Sequence, residues 1–469
     1  MEHIASFLWS TPLIVFFVVM GVFFTLGTKF MQVRYFKEMF FQVIGKSEKK
    51  IKGSISPFSS FMLTLSGRLG TGNIVGVATA ISLGGPGAVF WMWVTAFLGT
   101  SIAFAESVLG QIYKTKDEKG EHRGGPSYYI EKGLGMRWYG IVYAIAIILS
   151  YIIFLPGVQA NTITSSLQSS FDLSPVLVGV LIVISLIPLI RGGIVYFTKI
   201  TNFVIPIMAL GFIFTALTVI YVNRSYVPTA FNLIISSAFG VNQVFAGLFG
   251  FAISLGLRRG VFSTEAGLGT AVSAAAAANV SHPVKQGFVQ SFSIYVDTML
   301  INTLTSLMIL TTMSYYVMGT DNSYIVLYVP GDLQPADFTL NAVATVFHEY
   351  GSKIVSILIF LFAYTSFINY YYVAETNLLY ILKGKKNKFL TLLLIFLFLA
   401  FIFRGSVVNS SAAWAFADVG IGITMWVNLI AITLLSPVVF RCLKDYEKNK
   451  NKKFDPKRAK IKNASFWEL

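Results

Sequence analysis

Runs of apolar residues long enough to cross a bilayer recur along the whole chain. A hydrocarbon core of about 30 Å needs roughly 20 residues at a rise of about 1.5 Å each. Eleven runs qualify, at about 11–28, 57–83, 87–113, 138–168, 173–190, 194–222, 242–278, 287–318, 354–381, 388–404 and 412–438. Between the first two, the stretch 29–46 (KFMQVRYFKEMFFQVIGK) mixes basic and aromatic residues and predicts an amphipathic helix lying in the interface. The segments 225–240 and 319–352 are long for connectors. Each holds a short stretch of helical periodicity, which predicts surface helices capping the outer entrance.

Two of the eleven runs are unsuited to an ordinary spanning helix. The second carries Ser66-Gly67-Arg68-Leu69-Gly70-Thr71-Gly72-Asn73 at its midpoint. The seventh carries Ser254-Leu255-Gly256-Leu257-Arg258-Arg259-Gly260, then Ser263-Thr264-Glu265-Ala266-Gly267-Leu268-Gly269-Thr270. Glycine weakens a helix by about 1 kcal/mol relative to alanine, and an arginine at the centre of a lone helix costs about 2.5 kcal/mol or more. Such segments persist only where their polar groups have internal partners or face water. A broken helix frees N–H groups at the start of one half and C=O groups at the end of the other. The former attract a carboxylate and the latter a cation or an ammonium, so the pair suits a zwitterionic amino acid and a small cation. Close helix packing is the competing use of glycine. The clustering of Gly70, Gly72 and Asn73 speaks against it, although Gly72 and Gly76 have packing spacing.

Composition supports a membrane domain. Hydrophobic residues make up 55% and charged residues 12%, about half the charge a soluble surface needs; the mean hydropathy is +0.70. The net charge of +15 does not point to nucleic acid, because the basic residues sit in a few inter-helix segments and the tail. Lys29, Arg34, Lys37, Lys46, Lys49, Lys50 and Lys52 follow the first run; further clusters follow the third and ninth. No lysine or arginine occurs in 319–352. The positive-inside rule then puts the N-terminus outside and the C-terminus in the cytoplasm, as eleven crossings require. One cysteine, Cys442, excludes an intramolecular disulfide, and four scattered histidines offer no metal-ligand spacing.

These features predict an all-α polytopic membrane protein with eleven transmembrane helices. It divides into an N-terminal helix with a cytoplasmic amphipathic segment (1–54), a first five-helix repeat (55–225), an outer surface helix with a second five-helix repeat (226–440), and a basic cytoplasmic tail (441–469). Each repeat opens on a broken helix and the two begin on opposite sides, the pattern of an inverted repeat with a site at the midplane.

The stretches GTGNIVGVATAI (Gly70 to Ile81), GGPSYYIEKGLG (Gly124 to Gly135), RRGVFSTEAGLGTA (Arg258 to Ala271) and HPVKQGFVQ (His282 to Gln290) resemble the alanine or glycine:cation symporter family. The likeness runs from about residue 10 to 440. It implies a leucine-transporter-type architecture with one extra N-terminal helix, and uptake of a small neutral amino acid coupled to Na⁺. It also implies that the amides around Thr71 and Gly72 receive the substrate carboxylate, with Asn73 beside it. Phe249, Ala252, Ile253 and Gly256 would line the side-chain pocket, and Phe154 would cover the substrate. Thr365 and Ser366 would hold Na⁺ together with carbonyls from Ser66 and Leu69. The chain departs from the family pattern at Asn369-Tyr370, where many members carry Gly-Trp in the pocket wall, and at Ser263-Thr264, where many carry Ser-Asn.

Read from the residues alone, Thr365 and Ser366 either bond back to a carbonyl one turn earlier or serve as neutral oxygen donors for Na⁺. A proton-coupled carrier needs a titratable group instead. Arg68, Arg258 and Arg259 are expected to pair with Glu106 or Glu265 as an internal ion pair or gate. Asp297 and Glu375 are expected near the cytoplasmic ends, hydrated. A membrane enzyme would need a nucleophile–base pair or a metal cluster, and no such motif is present.

Overall fold

The computed structural model describes residues 2–45, 51–319, 321, 323–450 and 452–468; Lys46, Lys49 and Lys50 of the first basic cluster lie outside them. Helices dominate, and the strands form two short antiparallel hairpins. Among the described residues seven helices are long and apolar enough to cross a membrane: Gly87–Ile112, Arg137–Phe171, Tyr196–Val222, Pro283–Thr311, Glu349–Ile381, Lys388–Val407 and Ser410–Lys448. Shorter apolar helices span Thr11–Gly27, Thr71–Gly84 and Pro175–Arg191. This is a polytopic α-helical membrane protein.

The difference from eleven unbroken runs has local causes. The run at 57–83 is divided into Pro57–Arg68 and Val75–Gly84, joined by a single 3₁₀ turn at Thr71–Asn73. The run at 242–278 is divided into Phe249–Thr264 and Ala271–Ala277. The run at 287–318 ends early at Thr311, and Tyr316–Met318 pairs with Tyr324–Leu327 as a hairpin. The last helix runs on to Lys448, beyond the expected end at 438. Helices at Val227–Ala238 and Asp337–Phe347 occupy the two long connectors. Over 31–44 the amphipathic stretch is two short helices, Met31–Arg34 and Phe36–Ile44, interrupted at Tyr35, whose backbone (φ −110°, ψ 15°) leaves the helical region; left-handed Lys29 and Phe30 turn the chain away from the preceding helix.

Burial separates centre from periphery. Gly87–Ile112 and Pro283–Thr311 are each 72% buried over their apolar windows, whereas Lys388–Val407 is 28% buried and presents Phe389, Leu392 and Phe396 outward. An exposed apolar face of this kind matches lipid. The broken helices lie in the central layer. Pro57–Arg68 meets Ala271–Ala277, and Val75–Gly84 meets Phe249–Thr264.

Candidate functional site at the two helix breaks

The first break begins where the Leu69 amide makes the last helical bond, to Leu65 O (2.7 Å). Gly70 is extended, and its N–H donates to Asn73 Oδ1 (2.9 Å), so the Asn73 side chain caps the turn. A Cβ on Gly70 would lie 2.9 Å from Ser366 Oγ, one on Gly67 2.1 Å from Asn369 Nδ2, and one on Gly72 2.9 Å from the Phe262 ring. The Glu349–Ile381 helix and the Phe249–Thr264 helix therefore approach the break more closely than any side chain there would permit. The Thr71 amide donates to Gln159 Oε1 (3.2 Å), and Gln159 Nε2 donates to Tyr370 Oη (2.9 Å). Thr71 Oγ1 is buried without a hydrogen-bond partner.

At the second break Glu265 takes left-handed backbone at φ 50°, as do Gly267 and Gly269 at 89° and 78°. Three such residues within five positions are accessible at low cost only with glycine at two of them. The freed backbone groups are met by side chains. Tyr143 Oη donates to Leu268 O (2.7 Å), and Asn428 Nδ2 donates to Gly267 O (2.9 Å) and to Glu106. Glu265 accepts from Tyr151 Oη (2.7 Å) and Thr270 Oγ1 (2.8 Å), and the Tyr151 ring packs on Tyr370 at 4.4 Å.

A polar cluster joins the breaks. Asn73 Nδ2 donates to Asp297 Oδ1 and to Asn302 Oδ1 (2.7 Å). Ser263 Oγ donates to Asp297 Oδ2 (3.0 Å) and accepts from Asn302 Nδ2 (3.0 Å); Thr298 Oγ1 donates to Asp297 Oδ2 (2.6 Å). All five residues are buried. Asp297 and Asn302 lie on a π-helical stretch, Tyr295–Asn302, and Tyr151 on another, Ser150–Phe154. Such bulges turn residues off the regular face and recur at functional sites.

The sequence matches the sodium:alanine symporter family over residues 1–460. The chain belongs to this family. It is 46% identical to a putative sodium/proton-dependent alanine carrier protein of Bacillus subtilis, with 98% of this chain and 96% of the relative covered. It is 42% identical to the sodium/proton-dependent alanine carrier protein of Bacillus sp. strain PS3, covering 90% and 95%. A probable sodium/glutamine symporter of Bacillus subtilis is 40% identical, covering 97% and 93%.

In this symporter-family chain the structure brings Ser366, Asn369 and Tyr370 to the first break with Thr71, Gly72 and Asn73. Ser66 Oγ donates to Leu63 O (2.7 Å), and Leu69 ends the helix. Thr365 and Ser366 both bond back to Phe362 O (3.0 and 3.2 Å). Phe154 packs on Phe416 and Gly420, while Tyr151 and Gln159 hold the positions nearer the breaks. Phe249, Ala252, Ile253 and Gly256 are not brought to the first break. Phe249 is half-exposed beside Gly240, Ala252 faces Gly84, and Gly256 packs on Ala88 and Trp91. The helix continues unbroken through Gly256 and Gly260, whose missing side chains admit Trp91 and Thr95. Gly256 thus stands nine residues, about 13 Å, before Glu265. Phe262 and Ser263 occupy the place facing Gly72 and Asn73.

The expected pairing of the arginines with Glu106 or Glu265 is not formed. Arg258 and Arg259 both pair with Asp418, Arg259 at 3.4 Å, because these carboxylates are committed to the second break and Asp418 faces the arginines from the last helix. Arg259 also stacks over Trp414 (4.3 Å), and Arg258 lies over Trp9 (5.6 Å). Arg68 Nη1 donates to Gln290 O (2.8 Å) and Ser293 Oγ. Asp297 is buried rather than hydrated, and Glu375 pairs with Lys386 (3.3 Å) and Arg123 (3.8 Å). Gln159, Tyr151 and Asn302 lie outside every motif of the sequence, while Ser263 stands in one without a role of its own there and Asp297 reads from the sequence as hydrated. The one sequence signal for them is a polar side chain inside an apolar run.

Proposed function

We propose that this protein imports a small neutral amino acid, alanine or glycine, coupled to Na⁺ by alternating access. The observation that carries the reading is the pair of interrupted helices whose breaks face each other through Asn73 and Ser263. Broken helices at a repeat interface suit a zwitterion and a cation at the bilayer midplane, and the names of the Bacillus alanine carriers support the substrate class. In this reading the chain has eleven crossings in a leucine-transporter-type arrangement. A helix and interfacial segment (1–54) precede inverted repeats at 55–225 and 226–440. The N-terminus is outside and the tail is cytoplasmic.

The substrate carboxylate displaces Gln159 from the Thr71 amide and meets the Gly72 amide beside Asn73. Phe262, facing Gly72, walls the side-chain space together with Tyr370 and Asn369. Na⁺ takes the hydroxyls of Thr365 and Ser366 as they leave the Phe362 carbonyl, with carbonyl oxygens of Ser66 and Leu69. Such neutral oxygen donors need no deprotonation. The Arg258–Arg259–Asp418 cluster closes the outer side. One charge moved through about 100 mV supplies about 2.3 kcal/mol, enough for a roughly 50-fold gradient.

Uptake of labelled alanine, glycine and glutamine into proteoliposomes, with and without a Na⁺ gradient, tests this. We expect alanine or glycine uptake to require the gradient; equal uptake in both arms removes Na⁺ coupling, and preferred glutamine uptake corrects the substrate. A second reading, coupling to H⁺, is favoured by Asp297, a buried carboxyl bound to the first break. It expects uptake driven by a pH gradient without Na⁺ and lost in Asp297→Asn.

A further inference from the structure

The two broken helices close against each other at one end of the molecule through backbone. Ile55 N donates to Ala277 O (3.1 Å), and Asn279 N donates to Ile55 O (3.0 Å). Three neighbours reinforce this mouth. His122 N donates to Gly53 O (2.9 Å), while Gln111 Nε2 and Lys114 Nζ donate to Ala278 O (3.0 and 2.9 Å).

The segment 452–468 lies across the same residues. Phe454 N donates to Ser281 O (2.8 Å), and its ring stands edge-on to His282 (5.1 Å) and Trp467 (5.2 Å). Trp467 Nε1 donates to Gln111 O (2.9 Å), Phe466 is edge-on to His122 (4.9 Å), and Lys114 Nζ lies 4.5 Å from the Phe466 ring. Arg458 is bidentate to Asp445 (2.6 and 2.9 Å). Phe454, Ala459, Ile461 and Ala464 are buried, whereas Lys453, Lys457, Lys460 and Lys462 are exposed. The segment has one docked apolar face and one cationic face, with little regular helix of its own.

We propose that residues 452–468 form a strap that holds this mouth shut and sets how readily it opens. Gln111, Lys114 and His122 each serve both the mouth and the strap. Moving Ile55 away from Ala277–Asn279 therefore disturbs the strap, and releasing the strap loosens the mouth. The strap follows the end of the Ser410–Lys448 helix and contains no spanning helix of its own, so it can lift without unfolding one. The proposal rests on the carrier reading, in which this mouth opens once per transport cycle.

The test uses full-length protein in a Cys442→Ser background, with Ser54→Cys in the mouth as reporter for a membrane-impermeant maleimide. Phe454→Ala with Trp467→Ala removes the two ring anchors. Arg458→Glu sets like charges at Asp445 and frees the strap without emptying its docking site. Each is expected to speed labelling about five-fold by shifting the population toward the open mouth, with Phe454→Tyr holding the parent rate and Trp467→Phe, which keeps a ring but loses the bond to Gln111 O, falling between. A role in general stability alone would lower the melting temperature and leave labelling of the folded protein unchanged. Labelling at the parent rate in both releasing variants overturns the strap. Parent protein that takes up no amino acid in any gradient overturns the carrier reading, while the labelling result stands by itself.

Discussion

Asp418 holds two arginines in a region where only 3% of its side chain reaches the surface. A carboxylate shared in this way is a poor source of net stability but a costly one to remove, because both cations are then left without their counter-charge. Asp418→Asn is expected to destabilise the protein by about 3 kcal/mol, read as a lower melting temperature in detergent. Combining it with Arg259→Leu is expected to recover part of that loss, since the most buried uncompensated charge is gone. Near-additive losses in the double variant would mean the pair does not act as a unit. The sequence marked Arg258 and Arg259 as needing a partner, since their charge in an apolar run is a local property. Which carboxylate answers is not local: Asp418 lies some 160 positions away.

Glycine has two different jobs in the interrupted helices, and only the fold separates them. Gly70 and Gly72 stand in a true break, as do Gly267 and Gly269, where positive φ is required. Gly256 and Gly260 sit in continuous helix, where a Cβ would come 2.5 Å from Ala88 O and 2.7 Å from Thr95 Cβ. Gly250, on the same helix, has open space around it. Gly256→Val is therefore expected to cost about 1–3 kcal/mol through overpacking, whereas Gly250→Ala is expected to be neutral or to gain up to about 1 kcal/mol from helix propensity. Melting temperatures of the two variants check this; equal losses would refute the distinction. Spacing alone could not separate the jobs. A glycine cluster lowers helix stability wherever it occurs, and the helix survives when a neighbouring helix packs into the gap.

At the scale of the whole molecule, the tail, the mouth and the helix ends beneath them form one packed face that carries two buried histidines. His282 is held down to about 4 from an ordinary 6.5 by burial, which outweighs the pull of Asp445 and is reinforced by Arg458 and Lys285. Burial, with Lys114 and Lys116 nearby, holds His122 down to about 3. Both rings are thus neutral in the folded protein. Below about pH 6.5 the unfolded chain binds protons that the folded chain refuses, so stability is greatest above that pH and falls as the pH drops toward 4. The melting temperature is expected to decline over this window, and less steeply in His282→Asn, which preserves the cap on the Val284 amide. An unchanged slope in His282→Asn combined with His122→Gln would assign the decline to other groups. The sequence by itself determined the membrane class, the two interrupted runs and the family, because hydropathy, glycine clustering and contiguous motifs are properties of short stretches. Only the tertiary structure decided that the second break falls at 265–270 and that Asp297 is buried against Asn73. It likewise decided that Asp418 answers the arginines and that the basic tail folds back over the mouth. Each of these depends on which distant helices share a face, and so on packing between segments 160 or more residues apart.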